Sequence, residues 1–503
     1  MERDTTIDPD DANVSLSAEE IAEESAWLRS LGLKTPDEPL LLHAPFAPPL
    51  TSRSFITPSS RHWREAPRSV SAQHLRLDLD ILEVAMEKAY AGWEPAVLAG
   101  WDWRNFFERW RARLATKDTQ ELSIAEAFQP WADLMRFQLD NHSGPVTEHR
   151  FSGFSRTVLV EDLPGPIDGW RNRAGQRGPR DASDPAHQPR RCRILQDGEI
   201  RWANVVTYPS NLGEWEAVSV GGAWHPVKAV RLGIRWTPRP GDAVSFRWLA
   251  PDAGYVRIPS LSYALASSLT EKTDWLPAGA HQAASLVFDL RGNEGGAATV
   301  VFFLLKQLLG WQGIESALSF SIRRKDSCIT HALAWGFAQA KLKGCVPPLP
   351  AQLQRVVQQA LDAVVAPHWA NCPVKFYTTK AKWGFQEHVF PAPPPDGKPS
   401  LVVLTDNGCG SDGEFLVYLL ATIPGTAIVG VNTAGVGGFA RPGYFVLPRT
   451  SVPFRLATAL ADLYGDERSF EGYGFNPDIV IDSEQDLTDA QLADLAVKIR
   501  QMS

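Results

Sequence analysis

The feature that most constrains the fold is a unit of apolar strand, glycine-rich turn and apolar helix that occurs more than once after position 251. The run ASLVFDL leads through RGNEGG into AATVVFFLLKQLLG, and LVVLTD leads through NGCGS into DGEFLVYLLA; a third apolar run, TAIVGVNT, follows. Continuous apolar strands that alternate with helices are typical of a mainly parallel sheet covered by helices. Ligands of such sheets bind at the carboxyl ends of the strands, where both glycine-rich turns lie.

The hydrophobic spacing changes along the chain and divides it into segments. Between 74 and 139 apolar residues recur every three or four positions, which predicts helices. Between 151 and 248 short alternating runs are separated by Gly, Pro and Asn, which predicts strands. The predicted segments are an N-terminal arm or linker with a short helix (1–71), a helical domain (72–146), a β-rich module (147–250), the α/β core (251–483) with a helical insertion (326–395), and a C-terminal helix (484–503).

Composition narrows the classes of function. The net charge of −8 gives no general attraction for nucleic acid, so no nucleic-acid partner is expected. The five cysteines lack metal-ligand spacing, and we expect reduced thiols, no metal and no cofactor. The acidic N-terminus is no secretory signal, and no apolar run reaches the ~18 residues of a membrane span. These observations predict a cytoplasmic protein without a membrane partner; its oligomeric state stays open.

Ser411 stands where the turn TDNGCGS gives way to a helix, and two interpretations fit it. Ser411 with Glu414 three residues later has the pattern of a capping box, in which the serine side chain satisfies a backbone N–H. Alternatively the hydroxyl is a nucleophile, because a helix N-terminus offers N–H groups and a positive dipole end to a developing oxyanion. The residues alone favour the cap; the shared sheet edge favours catalysis.

The turn RGNEGG also has two interpretations. Its glycines allow a backbone to approach a ligand closely, or they simply make a tight turn held by a pair between Asp289 and Arg291. A dinucleotide site does not fit, because the spacing is not G-x-G-x-x-G and no acidic residue closes the next strand.

Several motifs in one order resemble a known family. YVRIPSL, LVFDLRGNEGG, SDGE, IVGVNTAGVGG and FEGYGFNPDIVI together resemble the C-terminal processing (tail-specific) proteases and the core of the tricorn protease. The resemblance covers about 254–481 without the helical insertion. It implies an α/β fold of the crotonase/ClpP-like type, with a mainly parallel sheet core, a helical N-terminal domain and a β-rich middle module in the position of a PDZ domain.

The resemblance also assigns the nucleophile and the oxyanion hole. Ser411 matches the family nucleophile. The N–H groups of Asp412 and Gly295 match the oxyanion hole, with Gly296 as the alternative if the loop is shifted by one residue.

The general base is where this chain departs from the processing proteases. Their lysine lies in T-x-G-K-G, and here Val436 occupies that place and cannot accept a proton. The tricorn branch uses a histidine from the helical domain and a glutamate before the final G-x-x-PD, which correspond to His142 and Glu471. That branch places a serine directly before the histidine; here Asn141 precedes it and Ser143 follows, so either is a candidate orienting residue.

The physical chemistry of these residues leaves alternatives. An imidazole near its ordinary pKa of ~6.5 is a competent base, and a nearby carboxylate is expected to raise that pKa. His142 could instead cap a helix end, and His149 is the next candidate base. Cys409, two residues before the serine, is interpreted as a buried thiol and not as a nucleophile.

The sequence therefore predicts a serine-type hydrolase that acts through an acyl-enzyme on Ser411, and the resemblance favours a peptidase. Its partner would be a peptide or small acyl substrate. Two alternatives remain: a non-catalytic ligand- or peptide-binding protein that keeps the fold, and a hydrolase specialised for a small acyl or modified-peptide substrate. The β-rich module lacks a GLGF-like loop, so a peptide-tethering function has no support.

Overall fold

The structure is a computed structural model, and it describes most of the chain between positions 67 and 502. The described residues are 67–98, 100–138, 140, 142–146, 155–160, 166–179, 189–196, 198–209, 214–230, 243–261, 276–277, 279–296, 298–309, 318–326, 382–390, 399–447, 449–462, 471–483 and 486–502.

Strands outnumber helices along the described chain. The helices are α1 (Ala72–Ala89), α2 (Trp93–Leu98), α3 (Trp103–Ala115), α4 (Ile124–Ala127), α5 (Gln129–Gln138), α6 (Ala298–Leu309), α7 (Asp412–Ala421) and α8 (Asp489–Met502). The strands are β1 (Ser69–Ser71), β2 (Glu121–Ser123), β3 (Gly144–Pro145), β4 (Ser155–Val160), β5 (Gly169–Asn172), β6 (Arg177–Pro179), β7 (Arg190–Gln196), β8 (Glu199–Pro209), β9 (Trp215–Val220), β10 (Ala223–Ala229), β11 (Ser245–Ala250), β12 (Ala253–Arg257), β13 (Ser285–Asp289), β14 (Leu318–Asp326), β15 (Lys382–Phe390), β16 (Ser400–Thr405), β17 (Thr426–Gly430), β18 (Phe439–Val446), β19 (Pro453–Asp462) and β20 (Ile479–Ile481).

The chain forms two compact units. The first lies within 1–149, 322–386 and 439–460, and the second within 150–321, 387–438 and 461–503. No helix in the described part of the chain combines the length and hydropathy that crossing a bilayer requires.

The first unit is built from α1 to α5 and the β18–β19 hairpin around an aromatic core. Three helices begin at a Ser or Asp whose side-chain oxygen accepts a backbone N–H three residues later, which fixes where each helix starts. These caps are Ser71, Asp102 and Ser123. The largest fully buried side chains of the core include Tyr90, Phe107, Trp110, Phe445 and Phe454. β3 pairs antiparallel with β19, which ties the segment after α5 to the hairpin.

The second unit contains one 13-stranded sheet. Its strand order is β11-β12-β13-β16-β17-β20-β7-β8-β4-β10-β9-β5-β6. The pairs from β12 through β7 are parallel, and those on both sides of this run are antiparallel. β12 and β13 are buried on both faces, as continuous apolar strands require. The predicted α/β fold with a mainly parallel core is thus confirmed.

The register of the parallel strands places two turns next to each other at the carboxyl ends of the strands. Asp289, the last residue of β13, pairs with Leu404, and Leu404 pairs with Val429. Because these strands end level with one another, the glycine-rich turns after β13 and β16 emerge side by side. This arrangement agrees with the expectation from the sequence.

One segment differs from the prediction. Residues 382–390, inside the predicted helical insertion (326–395), form strand β15, and residue 326 ends strand β14. The run KWGFQEHVF carries aromatic and β-branched residues, which favour strands. The predicted short helix in 1–71, the remainder of the insertion, Asn141 and His149 lie outside the described residues.

Candidate active site

Ser411 occupies a strained backbone position between β16 and α7. Its φ of 53° and ψ of −126° make it one of two non-glycine residues with positive φ in the described chain. Such a conformation costs on the order of 1–3 kcal/mol and persists only where surrounding contacts impose it. The carbonyl of Ser411 accepts the N–H of Glu414 at 2.9 Å and that of Phe415 at 3.1 Å, which starts the helix.

The hydroxyl of Ser411 does not cap this helix. No side-chain cap hydrogen bond is formed at the N-cap, so the capping interpretation is wrong for the serine side chain. The Glu414 carboxylate does accept the backbone N–H of Ser411, which is the return half of a capping box. The serine is thus held through its backbone while its side chain serves no cap.

Gly295 lies directly against the Ser411–Asp412 peptide. Its φ is +92°, and an added Cβ would be 2.7 Å from the Asp412 nitrogen and 2.8 Å from Ser411 Cβ. A backbone hydrogen bond also joins the two turns here, since the Asn293 carbonyl accepts the N–H of Gly410 at 2.9 Å. Only glycine permits this approach. The structure therefore brings together three predicted site residues, Ser411, Asp412 and Gly295.

The N–H of Gly295 already has an acceptor. It donates to Asn293 Oδ1 at 2.9 Å, while Asn293 Nδ2 donates to the Ile258 carbonyl at 3.0 Å. An N–H used in this way reaches a substrate oxygen only by exchanging partners. Gly296, the alternative donor, is exposed at the surface of the same turn.

Two acidic residues that the sequence did not identify as site residues hold the turns in place. Asp406 Oδ1 accepts the N–H of Gly292 at 2.7 Å and that of Gly408 at 2.9 Å, so one carboxylate joins the two turns. Behind them, the predicted pair of Asp289 and Arg291 is formed, with 2.7 Å between Oδ2 and Nη2. An Asp in a turn after a buried strand is a common signal for such bonds, but sequence alone does not show the partner.

Val436 fills the place of the family lysine. It is fully buried, and its Cγ2 lies 2.7 Å from the position of a Cβ on Gly410. The neighbouring Cys409 is also fully buried, and burial raises the pKa of its thiol well above the ordinary value. Cys409 is therefore an inert packed thiol, as expected.

Glu471 is buried at the start of the loop that leads to β20. Its Oε2 accepts the N–H of Gly438 at 2.7 Å, and the neighbouring Gly472 donates its N–H to the Gly435 carbonyl at 2.7 Å. The predicted carboxylate is thus fixed against the turn that contains Val436. It is not a mobile surface group.

His142 and Ser143 lie in the first unit, between α5 and β3. Both are buried, and the backbone N–H of His142 donates to Asp140 Oδ1 at 2.6 Å. Ser143 Oγ accepts the N–H of Ala457 at 2.8 Å, and the Ser143 side chain also hydrogen-bonds the Asp140 carboxylate. The single hydroxyl proton of Ser143 is therefore donated to Asp140, and the side chain is held by partners within its own unit.

The pKa of His142 differs from the expectation. Burial, together with the positive charge of Arg455, lowers it from the ordinary 6.5 to about 3, whereas we expected a nearby carboxylate to raise it. The imidazole is therefore neutral near pH 7 and able to accept a proton. The helix-end alternative, which needs a cationic histidine, is not supported.

A serine on a strained strand-to-helix turn, with Gly295 packed against the following peptide, is a geometry that serine hydrolases use for an exposed nucleophile. The sequence model of peptidase family S41 matches residues 252–481, which contain this site. This match confirms the resemblance drawn from the motifs. Because this family consists of serine peptidases, the protein is an enzyme of that class.

The solved structures that match the chain share little sequence with it. Mature CPAF complexed with lactacystin is 15% identical with a TM-score of 0.42, covering 86% of this chain and 98% of that one. The photosystem II D1 C-terminal processing protease is 15% identical with a TM-score of 0.33, over 81% and 93%. The tricorn protease is 12% identical with a TM-score of 0.39, over 85% of this chain and 37% of that one. No curated protein matches the chain.

Proposed function

We propose that the chain is a serine peptidase that cleaves its substrate through an acyl-enzyme on Ser411, with a histidine in place of the family lysine. The observation that carries the proposal is the Ser411 backbone, held at φ 53° at the start of α7 with Gly295 packed against the Ser411–Asp412 peptide. A strained serine at a strand-to-helix turn is the form that an exposed nucleophile takes in other serine hydrolases.

The choice of base follows from the chemical state of each candidate. Val436 cannot accept a proton, and Cys409 is buried with a raised pKa. His142 is neutral near pH 7, so it is in the state that a general base needs. A base with a low pKa binds a proton weakly, so the imidazolium cation that forms during acylation needs electrostatic support. Glu471 is the carboxylate we assign to that support, on the pattern of other serine triads.

The oxyanion would be bound by the N–H groups of Asp412 and Gly295. Gly295 must then exchange Asn293 Oδ1 for the substrate oxygen, which is a charge-assisted and therefore stronger acceptor once the oxyanion forms. Gly296 is the second candidate donor.

The nucleophile is tested by a fluorophosphonate probe and intact-mass analysis. We expect one adduct, on the peptide that contains Ser411, and none in Ser411→Ala. Ser451→Ala is the matched control, because Ser451 is the other described non-glycine residue with positive φ, at 55°. A folded wild type that gains no adduct would refute the proposal.

The base is tested by the labelling rate of His142→Ala and Glu471→Gln. Loss of His142 should cost nearly as much as loss of Ser411, because members of one catalytic unit are not additive. Glu471→Gln should cost about 10²-fold. His74→Ala, on an exposed face of α1, is the control and should label at the wild-type rate.

The pH dependence follows from the lowered pKa. If His142 stays neutral down to about pH 3, the ratio of wild-type to His142→Ala labelling rates should be constant between about pH 5 and 7. A ratio that falls toward pH 5 would show that the base titrates near its ordinary value. A wild-type rate in His142→Ala would place the base elsewhere.

A further inference from the structure

The turn Thr433-Ala-Gly-Val-Gly437 is bonded to both loops of the proposed site, although it no longer carries a lysine. Ala434 donates its N–H to the Cys409 carbonyl at 2.7 Å, which binds the turn to the nucleophile loop. Gly435 accepts the N–H of Gly472 at 2.7 Å, which binds it to the loop of Glu471. The turn thus stands between the serine and the glutamate.

Glu414 joins this turn to the nucleophile itself. Its Oε1 accepts the N–H of Gly435 at 2.7 Å and its Oε2 accepts the N–H of Val436 at 2.9 Å. The same carboxylate accepts the N–H of Ser411 and a hydrogen bond from the Thr433 side chain. Four donors therefore converge on one fully buried side chain.

These contacts exceed what a helix cap needs. A capping glutamate satisfies one backbone N–H at the start of its own helix. Glu414 also satisfies two N–H groups on a segment more than twenty residues away. A carboxylate has acceptor sites for all four donors, whereas an amide would turn its NH₂ group toward at least one of them.

We propose that Glu414 is a positioning residue for catalysis, which holds the Ser411 backbone in its strained conformation and fixes the Thr433–Gly437 turn against it. In this chain the turn has a positioning function in place of a proton-transfer function. The inference rests on the proposed function of Ser411 and adds the group that sets its geometry. Glu414 acts through the Ser411 backbone N–H and the neighbouring turn, so its role is to position the nucleophile.

We call the four hydrogen bonds to the Glu414 carboxylate the Glu414 clamp. Its loss should affect the reaction rate and not substrate binding. Displacement of a reacting group by about 1 Å can cost about 10²-fold in rate without weakening substrate binding. Glu414→Gln keeps the size of the side chain and removes one acceptor. It should therefore lower the rate of the acylation step and leave the affinity for the probe unchanged.

The experiment measures labelling of the full chain by a fluorophosphonate at several concentrations, which separates the maximal rate (kinact) from the apparent affinity (KI). It is done at about pH 8.5, where a carboxyl group with a pKa of about 7 is ionised. Glu414→Gln should reduce kinact about 10²-fold with KI within about twofold of wild type. Thr433→Val, which removes one donor of the clamp, should reduce kinact about tenfold.

Asp78→Asn provides the matched control. Asp78 is another fully buried carboxylate, which accepts the N–H groups of Arg449 at 3.0 Å and Thr450 at 2.8 Å and the Thr450 hydroxyl at 2.7 Å. Its loss should leave kinact at the wild-type value, because Asp78 binds a loop of the first unit, whereas Ser411 and the Thr433–Gly437 turn belong to the second.

The outcomes separate the two proposals. A wild-type kinact in Glu414→Gln, or a change confined to KI, would overturn the positioning role while leaving Ser411 as nucleophile. A wild type that does not label would overturn the proposed function, and this inference with it. If Glu414→Gln does not fold, Thr433→Val decides, and a wild-type kinact in that variant would overturn the role.

Discussion

Replacing Gly295 with alanine tests whether the close approach of the two glycine-rich turns creates the site. The substitution has two separable costs. At a φ of +92° any side chain is strained, by about 1–2 kcal/mol. The new Cβ would also lie 2.7 Å from the Asp412 nitrogen and 2.7 Å from the Gly410 oxygen, both backbone atoms that cannot rotate away. Overpacking of this kind costs about 1–3 kcal/mol.

Gly279→Ala isolates the second cost. Gly279 has a φ of +88°, and an added Cβ there would have nothing within 4 Å. Both substitutions reduce the conformational freedom of the unfolded chain equally, so that contribution cancels. The free energy of unfolding should therefore fall by about 1–3 kcal/mol more in Gly295→Ala than in Gly279→Ala.

The two variants should differ more in activity than in stability. The strain in Gly295→Ala is relieved by moving the turn away from the Ser411–Asp412 peptide, so phosphonate labelling should fall about 10²-fold, whereas Gly279→Ala should label normally. Denaturation midpoints followed by the fluorescence of the 18 tryptophans give the stability comparison. Equal midpoints and equal labelling rates in the two variants would refute the reasoning.

Further predictions concern three buried side chains. Val436→Lys should not increase the labelling rate, because a lysine there would place an ammonium in a fully buried position; a large gain would instead indicate a lysine-type protease that has lost its base. Burial raises the pKa of Asp78 from 3.8 to about 7, so the folded state binds more protons than the unfolded state between these values and stability falls as pH rises through them. The free energy of unfolding of Asp78→Asn, relative to that of wild type, should therefore rise by a few kcal/mol as the pH increases from about 4 to 7. A difference in denaturation midpoint that does not change with pH would contradict the assignment. Cys409 should resist a thiol reagent until the protein is denatured, and rapid modification of the native protein would show that it is accessible.

The sequence was sufficient for the features that depend on local pattern. Continuous apolar runs followed by glycines predicted the parallel strands and the shared edge, because both follow from how strands pair. The same pattern placed the turns of Ser411 and Gly295 at the same end of the sheet, and the family resemblance singled out Gly295 within its turn.

Other features depend on contacts between distant segments, which no local pattern encodes. The capping-box pattern predicted a bond from the Ser411 side chain, which is absent. The Glu414 carboxylate accepts the Ser411 N–H as the pattern predicts, but it also accepts the N–H of Gly435, twenty-one residues away. The pKa of His142 was expected to rise, yet burial and Arg455 lower it, and neither is visible from the residues around the histidine. Strand β15 was assigned to a helical insertion, because the helical pattern before it was extended too far.

The parallel pairing of β20 with β7 has a mechanical consequence. The β-rich segment is joined to the core by a continuous ladder of backbone hydrogen bonds and not by a flexible tether. Arg190, the first residue of β7, also donates to the Pro477 carbonyl at 2.6 Å, just before β20. A swinging motion of that segment would have to break this ladder, so it behaves as a rigid extension of the sheet. Truncation at the boundary would leave β20 as an open edge, and an exposed edge of this kind promotes aggregation.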